Sequence, residues 1–75
     1  MSIAQVFSER YNQAGTNIAD LILDIVNTAT QMEVTNPASQ SKARIDKFTF
    51  SDGSTLSRVM TPQGLLFSAT PANPN

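Results

Sequence analysis

Arg44-Ile45-Asp46-Lys47-Phe48-Thr49-Phe50, followed at once by Ser51-Asp52-Gly53-Ser54, decides the fold of this chain. Its side chains alternate, with Asp46, Phe48 and Phe50 on one side and Ile45, Lys47 and Thr49 on the other, the period of a strand with two unlike faces. Asp52-Gly53 then gives the strongest short-range hairpin signal, because the turn needs a positive φ that glycine adopts without steric cost. Thr55 to Met60 reads as the returning strand. Thr61-Pro62-Gln63-Gly64 is a second turn with proline preset at its first corner, and Leu65 to Ser68 is a third strand. A three-stranded antiparallel meander over residues 44–68 is expected, with Phe48, Phe50, Leu56, Val59, Met60, Leu65 and Phe67 available for a core.

Upstream the period changes. Ile3, Phe7, Tyr11, Ala14, Ile18, Leu21, Ile22, Ile25, Ala29 and Met32 recur at helical spacing and stay within about 60° of one line. Gln13, Asn17, Asp20, Asp24, Asn27 and Gln31 form the opposite, polar stripe. Ser2 and Gln5 have the spacing of a capping box, so the helix is expected to begin at residue 2. Gly15-Thr16-Asn17 could close one helix and cap another, but the apolar phase passes through without a shift. The spacing therefore favours one helix over 2–33, bent or broken at Gly15. Unbroken, it would be about 48 Å long, longer than so short a chain is wide.

The expected organisation is a single α+β domain of 75 residues. A long N-terminal amphipathic helix (2–33) leads through a linker loop (34–43), broken by Asn36-Pro37, to the meander (44–68) and an extended tail (69–75). The helix carries a surplus. Ala19, Leu23 and Val26 lie off the main stripe as a second apolar strip, the pattern of a helix held between its own sheet and a neighbour. Pro71 and Pro74 sit in a tail that a neighbouring subunit would order. These five residues are the candidate protein interface.

Composition points the same way. So short a chain has a thin stability margin, and with no cysteine and no histidine, neither disulfides nor the usual zinc sites can widen it. Oligomerisation or docking is the remaining stabiliser, and self-association is the default expectation. Residues 1–33 carry Glu9, Asp20, Asp24 and Glu33 against Arg10, a net −3, and residues 34–75 carry Lys42, Arg44, Lys47 and Arg58 against Asp46 and Asp52, a net +2. Such low charge does little to keep copies apart. The opening residues have no basic stretch before an apolar core and nothing later is long enough to span a bilayer, so synthesis in the cytoplasm and no membrane contact are expected.

The residue types that usually carry chemistry are scarce. Asp20 and Asp24 share a helix face, but two ligands without a third acidic neighbour make a poor metal site. Serines lack a histidine base, and Lys42 and Lys47 lack the apolar setting that would lower their pKa. No enzyme activity, cofactor or metal is expected. Lys42, Arg44, Lys47 and Arg58, with Phe48 and Phe50 for stacking, form a thin nucleic-acid or acidic-partner candidate. The leading expectation is a homo-oligomeric structural protein, repeated in a larger assembly such as a virion or tail. A small dimeric regulator or inhibitor, which blocks a larger protein or sequesters a ligand, is the second, and a weak nucleic-acid-binding module the third.

Overall fold

The computed structural model describes residues 1–35 and 44–72. Two helices, α1 (Ile3–Asn12) and α2 (Ile18–Thr28), precede four strands, β1 (Gln31–Thr35), β2 (Arg44–Thr49), β3 (Thr55–Thr61) and β4 (Gly64–Thr70). The strands form one antiparallel sheet in chain order, β1-β2-β3-β4. The fold is α+β, with its helical part first and its sheet second, as the change of period requires.

Two boundaries differ from the sequence reading. The helical region breaks at Gly15, which has φ +80. Gln13 ends α1, the Thr16 hydroxyl donates to the Arg10 carbonyl at 2.6 Å, and the Asn17 side chain caps α2 by accepting the Asp20 N–H at 3.1 Å. A left-handed glycine followed by a capping asparagine thus outweighs continuity of phase. Ala14 and Ile18, assigned to the buried stripe, are exposed in consequence.

The second difference is a fourth strand. Residues 31–35 were expected to be helix and then linker, yet they pair with β2, Met32 opposite Phe48 and Val34 opposite Asp46. Ala29 ends α2, and the Thr30 N–H bonds the Thr49 carbonyl at 2.7 Å, which turns the chain into the sheet. Sheet pairing overrides the good helix propensity of Gln31, Met32 and Glu33. Residues 36–43 and Pro74, which include most of the expected linker, lie outside the described residues.

Ala4, Phe7, Leu21, Ile25, Phe48, Phe50 and Leu56 form the core. Phe7 packs on Phe50 with ring centroids 5.4 Å apart, and Tyr11 meets Phe67 edge-on at 4.7 Å. Both helices lie on the sheet face that bears Phe48, Leu56 and Phe67. The register puts Val59 on the other face, in a row with Ile45 and Leu66. Val59 is therefore not a core residue, and Met60, on the helix side but 42% exposed, is not one either.

The Asp52-Gly53 turn forms as expected, with Gly53 at φ +85 and the Phe50 N–H donating to the Ser54 carbonyl at 3.0 Å. It also does something that local sequence did not reveal. Asp52 Oδ2 accepts the Ile3 N–H at 2.9 Å, and the buried Ser54 hydroxyl accepts the Ala4 N–H at 3.2 Å. Together with the capping box of Ser2 and Gln5, the hairpin satisfies the first N–H groups of α1.

Candidate interaction surface

The outer face of α2 is the first part of this surface. Leu21 and Ile25 turn inward and are at most 1% exposed, whereas Leu23 and Val26 point outward and are 58% and 46% exposed. Ala19 is exposed beside them. The helix is short enough, and apolar enough around its circumference, that burying one side leaves an aliphatic strip on the other. Pro71, after the end of β4, is exposed as well.

The second part is a charged cluster on the helix side of the sheet. Asp46 is fully buried, in phase with Phe48 and Phe50, and a buried carboxylate needs a cation. Arg58, its register partner on β3, donates Nε to Oδ2 at 2.8 Å and also bonds it through Nη2. Arg44, two residues back on β2, donates Nε to Oδ1 at 3.1 Å. Two guanidinium groups on one carboxylate leave a net positive charge. Arg58 is largely buried, with its guanidinium carbon 5.7 Å from the centre of the Phe48 ring, whereas Arg44 is about half exposed. Met32, Val34 and Met60, all more than 40% exposed, lie on the same face.

The four basic candidates do not form one patch. Arg44 and Arg58 meet at Asp46, Lys47 projects from the opposite face beside Glu33, and Lys42 lies outside the described residues. Phe48 and Phe50 are 1% and 2% exposed and offer no free ring face for a base. Sequence reasoning missed Asp46 as the hub, although its phase with two buried phenylalanines was the signal. It missed the α1 cap for a different reason, because no local pattern joins Asp52 to Ile3.

Asp52 has its pKa lowered, first by the Ser54 hydroxyl and then by the backbone N–H groups of Ile3 and Ser54. Hydrogen bonds to the ionised form account for the shift. A depression of about 450 Å³, lined by Gln31, Met32, Glu33, Lys47 and Thr49, places one carboxylate and one amine on adjacent strands. Among the described residues no helix is long and apolar enough to cross a membrane.

Two helices laid on one face of a four-stranded meander, with an unburied aliphatic strip and a paired charge cluster, define a small α+β domain. Residues 20–59, just over half of the chain, match the haemolysin-type calcium binding protein related domain, and the chain belongs to that family. The matched stretch takes in nearly all of α2, the Arg44, Asp46 and Arg58 cluster and the Asp52-Gly53 turn. No curated protein and no solved structure matches the chain.

Proposed function

We propose that the chain is a non-enzymatic interaction module that associates with copies of itself and serves as a repeated structural part of a larger protein assembly. One observation carries this reading: Leu23 and Val26 stand 58% and 46% exposed on the side of α2 opposite the buried Leu21 and Ile25. An aliphatic strip on a small domain with little charge costs solubility unless something covers it. The family description makes a haemolysin-type calcium-binding protein the first larger partner to test, ahead of a virion or tail component.

Calcium would belong to that partner. The ion takes six to eight oxygen ligands, several of them carboxylates. Among the described residues no three of His, Cys, Asp and Glu gather in one place. Asp46 is held by Arg44 and Arg58, Asp52 by α1 and Ser54, and Asp24 by Arg10 at 3.0 Å. The described carboxylates do not fit a calcium site of this chain's own.

Native mass spectrometry of the complexes that form in the source cells tests the reading. Many copies in one assembly with a larger protein are expected. A single copy bound to one protein would indicate a regulator or inhibitor instead, and an unpartnered monomer would contradict both.

A further inference from the structure

Among the described residues no strand pairs with the outer edge of β4, and that edge carries an inference independent of the α2 strip. Gly64–Thr70 is the last strand of the sheet, and its sequence, Gly-Leu-Leu-Phe-Ser-Ala-Thr, holds no charged residue and no proline. Exposed edges usually carry one of these, a bulge or a cover, to prevent further pairing. The bond from the Phe50 N–H to the Ser54 carbonyl fixes the alternation of the ladder. Followed across the register, it turns the main-chain groups of residues 64, 66, 68 and 70 toward β3 and those of Leu65, Phe67 and Ala69 outward. The Tyr11 hydroxyl donates to the Leu65 carbonyl at 2.6 Å, in keeping with that direction. Beside this edge, α1 and β4 enclose a depression of about 290 Å³ lined by Met1, Gln5, Ser8, Glu9 and Ala69.

We propose that this edge pairs with the same edge of a second copy, antiparallel about a two-fold axis at Phe67. In that register Phe67 meets its own copy, Leu65 meets Ala69, and Leu66 meets Ser68. The main chains exchange hydrogen bonds at Phe67 and between Leu65 and Ala69, the Leu65 carbonyl accepting the Ala69 N–H on its second lone pair beside the Tyr11 hydroxyl. Leu65 of the second copy, on the helix side and opposite the small Ala69, enters the depression under α1, and symmetry repeats the fit. The other edge is unsuited to self-pairing, because a two-fold at the centre of β1 sets Glu33 against Glu33. A strand from another protein would meet the main-chain groups but not the reciprocal fit of Leu65 and Ala69.

The chain has no cysteine, so single cysteines report the register directly. Leu66 and Ser68 are exposed on the face without helices. In the proposed pair they face each other as a non-hydrogen-bonded pair with Cα atoms about 4.5 Å apart. Each is about 7–8 Å from its own counterpart on the diagonal, at or beyond disulfide reach. Under mild oxidation at tens of micromolar, Leu66→Cys mixed with Ser68→Cys should form the mixed disulfide about tenfold faster than either variant links to itself. The preference should survive when both carry Leu23→Asp, which separates this contact from the α2 strip. In the unsubstituted chain, exchange of the Phe67 and Ala69 amides should slow as concentration rises. Equal rates for mixed and single variants would overturn the proposal. So would amides that stay unprotected at every concentration, or that gain protection only when a different protein is added.

Discussion

Asp52 accepts the backbone N–H of Ile3 at 2.9 Å, so that a hairpin turn 49 residues away in sequence closes the start of the first helix. The turn therefore has two tasks, setting strand register and anchoring α1 through a charge placed at the positive end of the helix.

Replacing Asp52 should separate these tasks. Asparagine tolerates the turn, and the turn alone would leave Asp52→Asn with the stability of the wild type. The bond to Ile3 changes that expectation: Asp52→Asn should melt earlier than wild type, and Asp52→Ala earlier still. Thermal melts at neutral pH check the order, and equal melting of all three proteins would show that the cap contributes nothing.

Acid should abolish the difference. Because the folded pKa of Asp52 is depressed, its contribution is fully present above the ordinary carboxylate value, 3.8, and is lost as pH falls through the lower folded value. Melting curves of wild type and Asp52→Asn should converge over that acidic window. A gap that persists unchanged below it would place the effect elsewhere.

Gly53→Val acts on the turn itself. At φ +85 a side chain is strained, and the added Cβ would come to 3.5 Å from the Ala72 Cβ, an ordinary contact, so the cost is conformational. About 1–3 kcal/mol is expected, a large share of the stability of a domain this small, and a calorimetric melt would show it.

The charge cluster should respond unequally. Arg58→Ala removes the buried partner of Asp46 and should cost about 3–5 kcal/mol, the usual result of stranding a buried charge. Arg44 is about half exposed, and Arg44→Ala should cost less than about 1 kcal/mol. Denaturant titrations of the two variants give the comparison, and similar losses would mean that Asp46 is not held mainly by Arg58.

Calcium alone should leave the isolated chain unmoved. With no cluster of three acidic groups among the described residues, millimolar calcium chloride should not raise the melting temperature. A clear rise would show that the chain binds the ion after all.

The meander was legible because alternation, Asp52-Gly53 and Pro62-Gln63-Gly64 are local signals that agree with one another. Phe48, Phe50 and Leu56 were placed in the core by the same alternation. The break at Gly15 was harder to read, because both helices present an apolar side to one sheet, and a turn that keeps the phase hides in the pattern. β1 was illegible for a physical reason: all five of its residues are exposed, and pairing with β2 alone makes it a strand. The outward strip of Leu23 and Val26 could be located from periodicity, since α2 is regular around both residues. The Asp46 and Asp52 contacts join distant positions and required the fold.

Sedimentation equilibrium of the wild type and Leu23→Asp at tens of micromolar tests self-association through α2 most directly. The wild type should sediment well above its monomer mass of 8.1 kDa. Leu23→Asp, folded by circular dichroism because Leu21 and Ile25 still fill the core, should fall to the pair joined at β4. A wild type that sediments as a clean monomer, or a Leu23→Asp protein with an unchanged mass distribution, would contradict the account.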